Sequence, residues 1–198
     1  MENPFLTRYL VSSELRELGF KSVGEKVLVA ANCTIVGAEN IEIGDNVRID
    51  PYTTITAGGS GWLKVGSHVH IAGYALLSAG DGIEMEDFSG ISQGVRVYSR
   101  TDDYTGKALT NPTVPAEFTQ VRGGTVRLGR HVIIGSGTVI LPRLTIGEGT
   151  SVGALSLVTK SLEPWGVYTG MPATRLKARS QALLEKEQAF LATLRRAP

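Results

Sequence analysis

Aliphatic residues return at every sixth position across residues 128–160, at Leu128, Ile134, Ile140, Ile146, Val152 and Val158. Second positions are mostly glycine (Gly129, Gly135, Gly147, Gly153), and fifth positions are small or branched (Val132, Thr138, Leu144, Thr150, Ser156). A period of six is neither the two of a half-buried strand nor the 3.6 of a helix, so the unit is a short strand plus a turn, repeated as a solenoid. Three units close a triangular coil. The first residue of each points inward and stacks on its equivalent one coil away, the fifth fills the remaining core, and the second-position glycine is expected to permit the corner.

The same register runs through the earlier chain. It starts weakly at Val27 and Cys33, then becomes regular at Ile43, Ile49 and Ile55, at Val65, Ile71 and Leu77, and at Met85, Ile91 and Val97. Each interruption, near 58–64, 80–84 and 99–127, follows the third hexad of a block, so all three leave the prism at one corner. The excursion 99–127 is too long for an ordinary connection and is expected to be functional. The sequence thus predicts an all-β parallel β-helix over 25–160. A helical cap fills 1–24, with Phe5, Leu6, Tyr9 and Leu10 followed by a helix capped at Ser13 and stopped at Gly19. The extension 161–198 is too rich in proline and glycine near 163–173 for another coil, and ends in an amphipathic helix carrying Leu183, Leu184, Glu187, Phe190, Leu191 and Leu194.

Composition excludes several classes. With 24 glycines, 8 prolines and 42% apolar residues, the 198-residue chain is turn-dense yet able to bury a core. A formal charge of +1 and 7% aromatics supply neither a basic field nor a stacking platform for nucleic acid. The single cysteine, Cys33, allows no internal disulfide, and its assignment to a first hexad position predicts a buried core residue. No apolar run approaches the ~18 residues of a membrane span and no leader pattern opens the chain, so a soluble cytoplasmic protein is expected.

The hexads, the loop before the last two coils, and Val152-Gly-Ala-Leu-Ser-Leu-Val-Thr-Lys160 followed by Gly170-Met-Pro-Ala173 resemble the left-handed β-helix acyltransferases that use acetyl-CoA. The resemblance covers about residues 25–178. Asp87-Phe88-Ser89-Gly90, Asp102-Asp103-Tyr104-Thr105-Gly106, Thr110-Asn111-Pro112 and Leu162-Glu163-Pro164-Trp165 resemble the branch that acetylates sugars and nucleotide-linked amino sugars for surface polysaccharides such as O-antigen. One member of that branch acts on the 4-amino group of a dTDP-4-amino-4,6-dideoxyglucose. The resemblance implies a homotrimer with acetyl-CoA in a cleft between prisms. The outward apolar residues Ile133, Val139 and Leu157 agree with a buried contact.

The same resemblance places Ser136, Ala154, Thr159 and Lys160 along the pantetheine and phosphates of the cofactor. In the family a basic residue often follows the Pro-Ala pair and another comes three positions later. Here Thr174 and Lys177 hold those places, with Arg175 displaced by one, so Arg175 and Lys177 are both candidates for the 3′-phosphate. Tyr104 and Asn111 are candidate acceptor contacts on the long loop. Many relatives carry a histidine base at its start, yet this chain reads Tyr98-Ser99-Arg100-Thr101-Asp102-Asp103 there. Of the three histidines, His70 faces outward at a sixth position. His68 and His131 share fourth positions two coils apart, roughly 10 Å at ~4.8 Å per coil, so one metal cannot join them.

The missing loop histidine bears on the reaction. A hydroxyl needs a base during attack, whereas a neutral amine already has a lone pair and the departing thiolate, with a pKa near ~8.5, can collect the proton. The expected reaction is acetyl transfer to the amino group of a nucleotide-linked sugar, with His70, Asp102 and Asp103 as catalytic candidates and no metal. O-acetylation of a sugar hydroxyl is the near alternative, and a sugar- or partner-binding scaffold is the non-enzymatic one. A carbonic-anhydrase-type zinc prism requires a histidine spacing this chain lacks.

Overall fold

The computed structural model describes residues 6–194, so Phe5 lies outside the described residues. Strands of two to four residues wind around a prism with three parallel faces. The first face carries inward Val23, Ile43, Val65, Met85, Leu128 and Ile146. The second carries Val29, Ile49, Ile71, Ile91, Ile134, Val152 and Tyr168. The third carries Ile35, Ile55, Leu77, Val97, Ile140 and Val158. Apart from partly buried Ile35, every one of these is at most 9% exposed.

This register corrects the expected start of the repeat. The coil begins with the strand Ser22–Val23, and Val27 and Cys33 occupy fifth positions. Val27 is buried there. Cys33, on the first and therefore uncovered coil, is only half-buried, and its thiol donates to the Asp50 carbonyl at 3.3 Å. Burial pushes the thiol pKa up. The far end extends further than expected. Leu162 bridges Ile146, the strand Gly166–Thr169 continues the second face, and Thr174–Ala178 closes that face antiparallel.

The corner glycines act differently from the expectation. Fourth-position residues, among them His68, Tyr74, Phe88, His131 and Leu155, adopt φ between 54 and 60° and make the turn themselves. Gly135, at a second position, is needed for close approach: a Cβ there would lie 2.4 Å from the Ala154 nitrogen one coil away.

The amino-terminal strand Tyr9–Val11 pairs antiparallel with Leu28–Ala30, and the helix Ser12–Glu17 buries Leu15 against the open end. Ser13 is not its cap. Glu14 accepts the Val11 N–H at 2.9 Å, and the Ser12 hydroxyl takes the Val27 N–H at 2.9 Å, which ties the cap to the first coil. The carboxy-terminal helix, Leu183–Leu194, folds back along the prism.

Replacing Ile134 by alanine removes one rung of the second-face column. Urea unfolding should show a loss of about 2–5 kcal/mol, whereas the outward Arg127→Ala should stay within about 0.5 kcal/mol.

Candidate active site

A hollow of about 700 Å³ lies on the second face, floored by His70, Gly90 and Ile133, with Asp50 at one end and Leu183 and Glu187 of the carboxy-terminal helix as a wall. Sixth positions of a coil point outward, so register fixes the order along this floor: Arg48 pairs with His70, His70 with Gly90, and Gly90 with Ile133. Ser92 and Gln93 line the hollow at the corner between the second and third faces.

Asp50 is the residue the sequence reading missed. Its Oδ2 sits 2.8 Å from His70 Nε2, while Oδ1 accepts the Tyr9 hydroxyl at 2.9 Å and Arg48 Nε at 2.6 Å. Burial pushes this carboxyl up, but the hydrogen bonds from His70, Tyr9 and Arg48 together outweigh it and hold its pKa below the ordinary value. Asp50 therefore stays ionised and fixes the imidazole by one nitrogen, leaving Nδ1 for a ligand. Asp50 follows Ile49 at a second position, where later coils of the same face carry the small residues Ala72, Ser92, Gly135 and Gly153. That departure from the repeat was the available signal.

His68 and His131 lie at the neighbouring corner with the Phe88 ring between them, at centroid distances of 4.8 and 5.2 Å. Phe190 meets His68 edge-on at 5.2 Å, and Glu187 accepts from Arg130 and, at 2.9 Å, from His131 Nε2. These contacts dock the carboxy-terminal helix beside the hollow.

The long-loop candidates do not reach this hollow within one chain. The loop leaves from the corner between the third and first faces, opposite the second face, and its root is held there. Arg100–Thr101 pairs with Arg122–Gly123, and Arg100 Nε donates to Asp81 at 2.7 Å. Asp103, 4% exposed, has its carboxylate occupied by the Thr105 hydroxyl (2.7 Å), the Thr105 N–H (3.1 Å) and the N–H groups of Lys107 (2.8 Å) and Ala108 (3.2 Å). The Thr105 hydroxyl leads these donors in lowering its pKa to about 2. Asp103 thus shapes the loop. Asp102 is half-buried beside it, and Tyr104 is 92% exposed. The Asn111 side-chain oxygen accepts from Thr113 N–H and Oγ, closing a local turn.

The cofactor candidates fall in three places. Ser136 and Ala154 are exposed third-position residues stacked at the corner between the second and third faces, directly continuing the line of Gly73 and Gln93. Exposed Thr159 and Lys160 lie at the next corner, across the strand Leu157–Val158. Arg175 and Lys177 are exposed on the last strand of the second face. The corner at Ser136 and Ala154 carries small, exposed residues, and Lys160, Arg175 and Lys177 are exposed cations of the kind that pair with the phosphates of a cofactor.

No protein-family model matches the chain. It is, however, 41% identical over 182 residues to the dTDP-4-amino-4,6-dideoxy-D-glucose acyltransferase of Escherichia coli, covering 92% of this chain and 94% of the relative. The chain belongs to this acyltransferase family. The fold agrees: the N-acyltransferase AntD from Bacillus cereus, solved with dTDP and 3-hydroxybutyryl-CoA, superposes with a TM-score of 0.91 at 40% identity, over 96% of this chain and 100% of AntD. A substituted form of AntD, solved with dTDP-4-amino-4,6-dideoxyglucose and coenzyme A, gives 0.90 at 40% identity over 95% and 99% of the two chains. The prism is therefore the left-handed β-helix of these acyltransferases, which take acyl-CoA as co-substrate. Among the described residues, no helix is long and apolar enough to cross a membrane.

In this acyltransferase Asp103 is a loop staple with a depressed pKa, so its contribution is complete above pH ~4 and is lost as pH falls towards about 2. Asp103→Asn should expose the loop at neutral pH, with trypsin cleaving after Lys107 several-fold faster than in the unmodified protein. Asp102→Asn should leave that cleavage rate unchanged.

Proposed function

We propose that the chain transfers the acetyl group of acetyl-CoA to the amino group of a dTDP-4-amino-4,6-dideoxyhexose, supplying a residue for O-antigen or a similar surface polysaccharide in the cytoplasm. The observation that carries this reading is the meeting of two features at Gln93: the hollow of His70 and Asp50, and the corner of Ser136 and Ala154. A pantetheine lying along that corner, with its phosphates towards Lys160, Arg175 and Lys177, delivers its thioester to the mouth of the hollow. The names of the most similar relatives support the same acceptor.

The neutral amine attacks the thioester carbonyl, a backbone N–H holds the oxyanion, and the C–S bond breaks. The proton leaves the nitrogen for His70 Nδ1 or for the departing thiolate. Ionised Asp50 keeps His70 in place for this. The loop that carries Asp102, Tyr104 and Asn111 points away from its own hollow, which supports a homotrimer in which each loop completes a neighbour's site. Asp102 then orients the amine, and Tyr104 and the Asn111 amide contact the sugar. O-acetylation remains the second reading on one observation, since a carboxylate-fixed imidazole is also what a hydroxyl acceptor requires.

Thiol release from acetyl-CoA, followed with matched dTDP-4-amino and dTDP-4-hydroxy sugars, decides between the two readings. Turnover of the amino sugar, rising with pH as the amine loses its proton, is expected; turnover of the hydroxy sugar alone rejects the proposal. His70→Ala should slow amine acetylation by less than about 100-fold, the lower edge of a general base's usual contribution. Light scattering should give three chains per particle.

A further inference from the structure

Four polar side chains from three separate segments meet at the Asp50 end of the hollow. Asp50 Oδ2 lies 2.8 Å from His70 Nε2, and Oδ1 accepts both Arg48 Nε at 2.6 Å and the Tyr9 hydroxyl at 2.9 Å. Arg48 Nη2 also donates to the Tyr9 oxygen at 3.1 Å, and the guanidinium lies 5.3 Å from the centre of the Tyr9 ring. Arg48 and His70 are outward partners on adjacent strands, so a fixed cation stands one strand spacing, about 4.8 Å, below the imidazole. Asp50 is itself held in place, because its N–H donates to the Ile71 carbonyl at 2.9 Å.

Packing does not call for a cation here. Outward strand positions of the second face carry residues as different as Leu28, Gly90 and Ser151, and the Arg48 side chain is 57% exposed. Its effect is electrical. A carboxylate beside a histidine favours imidazolium, and an imidazolium has no lone pair to take a proton from an attacking amine. Arg48 opposes that in two ways: it offsets the Asp50 charge at Oδ1, and it repels a positive charge on His70. Burial and the bond to Asp50 raise the Tyr9 pKa, so its hydroxyl remains a donor to the same oxygen across the neutral range. The other groups around His70 leave this balance alone. On the next strand Gly90 has no side chain, and on the carboxy-terminal helix Glu187 is taken by Arg130 and His131. His68 is stacked on Phe88, and Arg179 donates to the carbonyls of His131 and Gly149.

We propose that Arg48 and Tyr9 are positioning residues that act through Asp50 to keep His70 a neutral imidazole, with Nδ1 ready to take the proton of the attacking amine. The amino-terminal strand then belongs to the catalytic apparatus as well as to the cap of the solenoid, since undocking it withdraws Tyr9 from Asp50. This rests on the functional reading above, in the form where His70 accepts the proton, and adds what sets the charge state of that acceptor. The amine nitrogen forms the new C–N bond, the C–S bond breaks, coenzyme A leaves as the thiolate and the amine proton passes to Nδ1. His70 must therefore be unprotonated when the substrates meet.

The test follows the ring protons of His70 by NMR in the full chain as pH is varied, the signal being assigned as the one lost in His70→Gln. Its titration midpoint should rise by roughly 0.5–1 unit in Arg48→Gln, the effect of one fixed charge a strand away in a partly solvated site. Tyr9→Phe should raise it by less, and Arg48→Lys, which keeps the charge, should leave it in place. The acidic limb of kcat for acetyl transfer to the dTDP-4-amino sugar should move up with it, so that Arg48→Gln loses about 3- to 10-fold near pH ~6 and little near pH ~9. The ionisation of the acceptor is common to all variants and cancels, whereas a merely structural role would lower kcat equally at both pH values. A thermal shift with CoA reports whether each variant is folded; if Arg48→Gln is not, Tyr9→Phe carries the test with its smaller rise. An unmoved His70 midpoint in the folded variant overturns the proposal and leaves the acyltransferase reading standing. A midpoint that moves while the kcat profile does not overturns it too, the departing thiolate then being the proton acceptor. No turnover of the amino sugar by the unmodified enzyme overturns both.

Discussion

The stacking of inward aliphatic side chains from coil to coil is the constraint on which the rest of this molecule depends. No single coil has an interior of its own: Ile134 is buried because Ile91 lies below it and Val152 above it. Keeping those columns in line fixes the coil-to-coil register, and the register in turn lines up the outward residues. The order Arg48, His70, Gly90, Ile133 along the second face is thus a by-product of core packing. The site is a set of outward positions whose spacing the hydrophobic columns impose.

The same constraint explains where freedom was left for chemistry. Second and third positions sit at corners, where the next coil approaches within a few ångströms, so they favour small residues, as Gly135 shows. Asp50 breaks that pattern, and its carboxylate is held by Tyr9 from the amino-terminal strand, Arg48 from its own strand and His70 from the next coil. The charge is tolerated at the margin of the core because each oxygen has a partner. The terminal segments serve the site as well as the ends of the solenoid. The first brings Tyr9 to Asp50, and the last brings Leu183 and Glu187 to the wall of the hollow.

The histidines illustrate how a repeat both reveals and misleads. Sequence spacing placed His68 and His131 too far apart to share a metal, and the Phe88 ring indeed fills the space between them. Spacing also assigned Cys33 and Val27 to first positions, two residues out of phase, because the first coil carries Val23, Val29 and Ile35 with weaker glycine marks. Asp103 read as a catalytic candidate in a functional loop. Its oxygens are consumed by Thr105, Lys107 and Ala108, a local arrangement that short polar side chains in loops often adopt and that periodicity does not reveal.

By itself the sequence determined the prism, its three faces, the corner from which all excursions depart and the outward placement of His70, because a six-residue repeat has only one way to bury its aliphatic residues. Tertiary structure alone decided what those outward residues meet. The pairing of Asp50 with His70 and the wall that the carboxy-terminal helix supplies to the hollow join residues 20 to more than 100 positions apart. Such meetings depend on how the terminal segments pack against a finished prism, and that packing leaves no period in the chain.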